Sequence, residues 1–380
     1  MAEPMHVLIA PNAFKNSLPA AVVAGAIQQG LAGSRLVCTS ECFPIGDGGD
    51  GTGDLIVERL GGSRSAAEAR DPLGRRITTY FGLIDDGDTA VIEMANASGL
   101  RLLENKEPDT LHASSGGTGD LIKSALDRKV RRIILGMGGS ATVDGGTGIL
   151  QALGIRFLDK GGQELSGMPE SLVDLESIDP SGADARLSGC ELIVLCDVDN
   201  PLLGERGAAS VFGPQKGATP QGVLQLEAVL RRLTEVVLRQ TGKDMSRLVY
   251  GGTAGGAAAG LHSLLQARLV SGIDYFLQLT GFDKALERSG LVITGEGSID
   301  EQTLQGKGPF GVASRAKARG IPVIGVAGRV PLETDPELRR YFDVLLSIGQ
   351  GPANLTAALR DTAANLVRTG TAIGNLLTLR

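Results

Sequence analysis

Apolar residues in this chain gather in short, isolated runs, each followed by a glycine-rich or polar loop and then by a helical period. HVLIA (6–10) has the uninterrupted apolar character of a strand covered on both faces. The loop PNAFKN follows, and Ser17 is placed to cap a helix through AAVVAGAIQQGLAG that stops at glycine. RLVCTSECF, a loop of aspartates and glycines, and TGDLIVERLGG repeat the strand-loop-helix order. After Gly62 the texture changes. ARDPLGRRITTYFGLIDDGDTAVIEMA carries two turn signals, DPLG and DDGD, between β-like runs, which predicts antiparallel strands and a new domain from about residue 64. Strand-helix units resume at RRIILGMGGSATVDGGTGILQALG and ELIVLCDVDNPLLG. Single buried-strand runs then return at SGLVITGEG (289–297), IPVIGVAG (321–328) and FDVLLSIG (342–349). The expected fold class is α/β: residues 1–64 with 287–380 form one doubly wound parallel sheet, and 65–286 form a second, mixed α/β domain inserted into it. No repeat of solenoid period is present.

Composition adds limits. At 380 residues the chain exceeds the usual span of one core, in keeping with two domains. A net charge of −6 without a sizeable Lys/Arg block argues against nucleic-acid or anionic-membrane partners. No apolar stretch reaches transmembrane length and the first ten residues lack a basic, then apolar, leader pattern, so a cytoplasmic chain is expected. The four cysteines form no C-x-x-C pair and read as buried, reduced thiols; the three histidines are isolated, which leaves no zinc site or Ser-His-Asp triad to build. Oligomeric state is left at monomer or homodimer. The 55 glycines, about twice average usage, cluster beside acidic and hydroxyl residues, where a bare backbone can approach a ligand.

That placement locates the candidate chemistry. Carboxylates recur beyond expected strand ends: Asp47 after RLVCTSECFPIG, Asp197 after ELIVLC, and Glu296 after LVITG. Ligands of open α/β sheets bind outside such ends. The loop GDGGDGTGD is no EF-hand, because Gly49 and Gly51 stand where oxygen ligands would be required. No Walker A sequence occurs. Gly136-x-Gly138-x-x-Ala141, with Asp159 further on, matches a relaxed dinucleotide fingerprint, and keeps a nicotinamide-dependent hydroxy-acid dehydrogenase as an alternative. In GMGGSATVDGG, Ser140 and Thr142 lie among glycines ahead of a helix, an arrangement able to cradle a phosphate. Lys15, Lys216 and Lys307 sit in loops beside Gly or Asn, suited to neutralising phosphoryl oxygens.

Together these segments closely resemble the glycerate kinases of bacterial glyoxylate, glucarate and galactarate routes. The likeness runs end to end: APNAFKNSL, PIGDGGDGT, IEMANASGL, SSGGTGDLI, GMGGSATVDGGTG, CDVDNPLLGERGAASVFGPQKGA, GGTAGGAAAGL and ITGEGSIDEQTLQGKGPFGVA. The resemblance implies ATP-dependent phosphorylation of D-glycerate with Mg2+, generally to 2-phosphoglycerate. It further implies a flavodoxin-like domain and a domain resembling a restriction-endonuclease fold, with the active site in the cleft between them. Asp144, Asp197, Asn200, Lys216, Glu296, Asp300 and Lys307 match the family pattern. Three positions depart from it. Asn12 and Ala13 replace the usual Asp-Ser of the first loop, and Val143 replaces an Asn. Asn12 and Val143 are the sequence support for a third reading, a glycerate-binding sensor without turnover.

The expected roles are then as follows. Asp197, Lys15 and Lys307 are catalytic, Asp197 as base or hydroxyl-orienting group. Asp47 and Glu296 hold Mg2+ directly or through waters. Gly138, Gly139, Ser140, Thr142, Gly255, Gly256 and Lys216 line the nucleotide. Asn12, Ser17, Asn200 and Asp300 contact the hydroxy acid. Asp50 and Asp54 are expected to face solvent or cap a helix.

Overall fold

The computed structural model describes residues 4–103, 109–167, 169–304, 306–333 and 335–379. The first three residues of the stretch read for a leader lie outside them. The chain divides into two compact units, Met1–Asp47 with Ile273–Arg380, and Gly48–Gly272.

The first unit is built on a five-stranded, all-parallel sheet: Val344–Ser347, Val323–Arg329, Leu291–Ser298, Met5–Ile9 and Cys38–Cys42, in that spatial order. Numbered along the chain within this unit the order is 2-1-3-4-5, the flavodoxin-like arrangement. Val7, Leu8 and Ile9 are all fully buried, as are Val292 and Ile293, which is why these strands read as continuous apolar runs. Helices Ala20–Ala32 and Thr362–Leu376 put Val23, Ile27, Leu366 and Ile373 into one core with Val7, Ile9 and Ile293. The two helices meet at glycines: a Cβ on Gly30 would lie 2.2 Å from the Val367 carbonyl oxygen, and one on Gly370 would lie 2.6 Å from that of Ile27. Ser17 does not cap the first helix. Pro19 takes the N-cap position and gives no side-chain bond, while the Ser17 hydroxyl donates to the Leu359 carbonyl 2.8 Å away.

The second unit holds a six-stranded mixed sheet in the order Arg268–Ser271, Glu191–Cys196, Arg132–Gly136, Thr89–Glu93, Arg76–Ile84, Ser63–Arg70. The first four are parallel; the last two form the antiparallel extension expected from the DPLG and DDGD turns. At the first of these turns Asp71 Oδ1 accepts from the amides of Leu73 and Arg75, both at 2.9 Å. A separate two-stranded ribbon pairs Arg156–Leu158 with Ser177–Asp179. Helix Thr52–Arg59 packs on strands Arg76–Ile84 and Thr89–Glu93, so the aspartate-glycine loop from Gly48 onward belongs to this unit, and the division falls earlier in the chain than residue 64. The parallel strands of both units point their carboxyl ends into the loops that carry the candidate chemistry.

All four cysteines are free, as expected, but only Cys196 is buried; the others are partly exposed. Among the described residues, no helix is long and apolar enough to cross a membrane.

Candidate functional site

In the first unit the strand order reverses between Met5–Ile9 and Leu291–Ser298, the position at which a doubly wound sheet opens a crevice outside its carboxyl ends. The chain leaves Met5–Ile9 still paired to its neighbours. Ala10 N donates to the Ile293 carbonyl and Asn12 N to that of Gly295, each at 2.8 Å. On the other side Ile45 N donates to the Pro11 carbonyl at 3.0 Å. These bonds carry Asn12 and Asp47 to one place, where Asn12 Nδ2 donates to Asp47 Oδ2 at 2.8 Å. Both side chains are buried, Asp47 at 9% exposure. This gives the Asn12 departure a physical meaning: an amide supplies a donor to Asp47 where a second carboxylate would repel it.

Glu296 lies inside strand Leu291–Ser298 rather than past its end. Thr303, fully buried, donates from Oγ1 to Glu296 Oε1 at 3.1 Å. Burial pushes the Glu296 carboxyl up to about 7; the Asp47 charge pushes the same way, whereas Lys307 and Lys15 pull it down. Asn12, Lys15, Asp47, Glu296 and Lys307 thus share one electrostatic neighbourhood. Lys307 is the N-cap residue of helix Gly308–Ala318, whose first turn packs against Asn12: a Cβ on Gly308 would meet Asn12 Nδ2 at 2.8 Å. Asp300 joins through its backbone, its amide donating to Thr303 Oγ1 at 3.2 Å. Ser17 is turned to the C-terminal helices through Leu359 and through the Thr362 hydroxyl, 2.8 Å away.

The second unit brings together most of the other expected residues. Lys216, expected in an open loop, is buried at the end of the short 3-10 turn Pro214–Lys216. Its Nζ donates to Ser140 Oγ at 2.9 Å and to the Thr142 carbonyl at 2.8 Å. Burial lowers its pKa to about 8, against the raising pull of Asp144 and Asp197. Asp197 follows strand Glu191–Cys196 directly, as expected, and Cys196 beneath it is pushed up to about 12, chiefly by burial.

Asp144 is an internal anchor. One oxygen accepts from Ser115 N, Ser115 Oγ and Gly148 N at 2.9, 2.7 and 3.2 Å, the other from Gly146 N at 3.0 Å. Gly255 holds φ +68°, and a Cβ there would sit 2.1 Å from the Thr142 carbonyl oxygen; Gly145 N also donates to the Gly255 carbonyl at 3.0 Å. The loops around Thr142 and Gly255–Gly256 therefore lie directly against one another. Asn200 shapes its own turn, donating from Nδ2 to the Arg206 carbonyl at 2.9 Å. The fingerprint Gly136-x-Gly138 opens no helix; helix Thr147–Ala152 begins only after eight intervening residues, against the geometry a dinucleotide site requires.

The aspartates of the glycine loop are paired. Asp54 contacts Arg64 and the Tyr80 hydroxyl, each at 3.0 Å, and Asp50 contacts Arg101 at 3.4 Å. Arg101 also donates to the buried Asn96 side chain. Glu93, Asn96, Arg101, Ser115 and Thr303 escaped the sequence reading although all but Arg101 stand within the matched segments; none carries a glycine-acid pattern of its own.

The fold and these groups define an α/β protein with lysines and carboxylates gathered at the carboxyl ends of parallel strands. A family model described as the glycerate kinase family matches residues 7–378. The chain is 42% identical over 365 residues to a glycerate kinase of Bacillus subtilis (strain 168), covering 96% of each, and 39% identical over 364 residues to a glycerate 2-kinase of Escherichia coli (strain K12), again 96% of each. A crystal structure of a candidate glycerate kinase 2 from Salmonella typhimurium LT2 superposes with TM-score 0.82 at 41% identity, covering 99% of this chain and 98% of that one. The chain belongs to the glycerate kinase family, and is thereby a phosphotransferase.

Proposed function

We propose that this enzyme transfers the γ-phosphoryl group of ATP to a hydroxyl of D-glycerate, giving 2-phosphoglycerate and ADP, with Mg2+. The observation that carries the reading is the meeting of Asp47 and Glu296 with Lys15 and Lys307 at the switch point of a flavodoxin-like sheet, in a chain of this family.

The residues fit a hard cation. Two carboxylates in one neighbourhood, one of them made reluctant to ionise by burial and by the other's charge, gain from a divalent partner. Among the described residues no group of three or more His, Cys, Asp and Glu side chains is set to hold a metal. Mg2+ commonly keeps waters and takes one or two carboxylates plus substrate phosphates. When bound, the ion supplies charge neutralisation on the phosphoryl oxygens.

The chain's own residues do the rest. Asp197 orients the attacking hydroxyl and takes its proton as the oxygen-phosphorus bond forms and the bond to the β,γ-bridging oxygen of ATP breaks. Loose phosphoryl transfer asks more for positioning than for a strong base. Lys15 and Lys307 meet the transferring phosphoryl group or the glycerate carboxylate, with Asn12 and Asp300 on the hydroxy acid. The glycines 138–139 and 255–256, with Ser140 and Thr142, cradle the nucleotide, and Lys216 braces that cradle from below. Ser17 and Asn200 contribute through loop shape, since the Ser17 hydroxyl and the Asn200 amide nitrogen are bonded within the chain.

The test combines protein, D-glycerate, ATP and Mg2+ with ADP detection, followed by enolase without a mutase. Immediate phosphoenolpyruvate is expected. ADP release without phosphoenolpyruvate would identify the 3-phospho isomer; binding without turnover would point to a sensor.

A further inference from the structure

We propose that Glu93 is the positioning residue of the glycine cradle at Gly138–Ser140, which it holds through the loop 48–53; this rests on the reading of that cradle as the nucleotide's. Glu93 ends strand Thr89–Glu93 and is 5% exposed. Its Oε1 accepts from Gly53 N at 2.8 Å, and the Gly51 amide is bonded to the same carboxylate. The fit leaves no spare volume: a Cβ on Gly53 would lie 2.7 Å from Glu93 Cγ.

The held loop in turn meets the cradle. Gly138 N donates to the Gly48 carbonyl at 3.0 Å, and a Cβ on Gly138 would strike the backbone of Gly49 and Asp50 at 2.4 Å. From there the cradle runs through Gly139, whose carbonyl accepts from Leu100 N at 2.8 Å, to Ser140 on Lys216. A carboxylate with no exposed route to substrate therefore governs where Gly138 and Ser140 stand.

The acidic groups acting on Glu93 are Asp50 on the loop and Asp54 on helix Thr52–Arg59, with the Tyr80 hydroxyl on strand Arg76–Ile84 also within its field. Arg64 and Arg101 are spent on Asp54 and Asp50. Burial, with those aspartates, pushes Glu93 up to about 7 against the pull of the two amides. Ionised, Glu93 offers charge-assisted acceptors to both amides; protonated, one oxygen becomes a donor and an amide loses its partner.

Glu93→Gln keeps the shape but sets a donor against one glycine amide. Losing one such bond should raise the KM for ATP about tenfold or more, with the KM for glycerate within about twofold. Amide hydrogen exchange should accelerate in peptides spanning 48–53 and 137–140 and stay unchanged elsewhere in 48–272. In the unmodified enzyme, exchange of these peptides, corrected for intrinsic rate, should accelerate as pH falls through about 7, a response the variant lacks. That measurement needs no variant to fold. Unmodified KM values in Glu93→Gln, or faster exchange throughout 48–272, would overturn the positioning role. Absence of ATP turnover in the unmodified enzyme with the exchange response intact would overturn the kinase reading and leave the hold of Glu93 on its loop in place.

Discussion

Replacing Lys216 by Met separates catalysis from stability. The side chain is 5% exposed, and its pKa drops from 10.5 to about 8 even with Asp144 and Asp197 pulling it upward. That drop equals roughly 3 kcal/mol by which holding the ammonium destabilises the fold at neutral pH. Met removes this penalty but leaves Ser140 Oγ and the Thr142 carbonyl without their donor, at about 1–3 kcal/mol for each unsatisfied group. The terms offset, so the melting temperature should move by no more than about 5 °C. Loosening the cradle that Lys216 braces should cost on the order of 10² in kcat/KM, the cost of a misplacement of about an ångström. The sign with pH is defined. Below about 8 both folded and unfolded chains carry the proton and the penalty is complete; between about 8 and 10.5 the folded chain loses it first, so stability rises. Melts at pH 7 and 9.5 should therefore show the unmodified enzyme gaining on Lys216→Met at the higher pH. Its activity should fall as pH rises through about 8, a limb that Lys216→Arg should lack. Near-normal kcat/KM in Lys216→Met would refute this reasoning, as would a collapse of the fold in step with activity.

Three further outcomes follow from the same geometry. Asp144→Ala orphans Ser115, Gly146 and Gly148 at once and should cost about 3–5 kcal/mol, read as a lower urea midpoint. Gly255→Ala drives a methyl onto the Thr142 carbonyl at a positive φ and should destabilise by more than about 2 kcal/mol in the same measurement. Asp197→Asn should lower kcat by about 10² to 10⁴ with a melting temperature unchanged within about 3 °C; near-normal turnover would remove it from the reaction.

The fold was legible wherever burial left a one-dimensional trace. HVLIA and LVITG announce strands covered on both faces, and DPLG marks its hairpin because a tight turn imposes its own residue choice. Ser17 misled because capping is decided by the local backbone, and Pro19 takes the position two residues on. The site was legible in part. Asp47, Glu296, Lys15 and Lys307 could be picked from loop chemistry, but their meeting depends on strand order, which no local pattern encodes. Glu93 and Thr303 were hidden for a different reason: a buried acid at a strand end and a threonine in a turn look like ordinary packing until their hydrogen-bond partners are seen.

The five-stranded sheet is interrupted for the whole of Gly48–Gly272, and its central strand Leu291–Ser298 arrives only after that detour. At translation speeds of about 5–20 residues per second, Val7, Leu8, Ile9 and the apolar face of helix Ala20–Ala32 emerge from the ribosome and wait roughly thirteen to fifty seconds for strand Leu291–Ser298. The glycine seam at Gly30 closes later still, once Gly370 has been synthesised. A nascent chain stalled in that interval carries a finished mixed-sheet unit and a sticky amino-terminal segment whose strand Met5–Ile9 has only one of its two sheet neighbours. The arrival of Glu296 beside Asp47 is thus among the last events of biogenesis, and the enzyme's exposure to chaperones and proteases should be concentrated there.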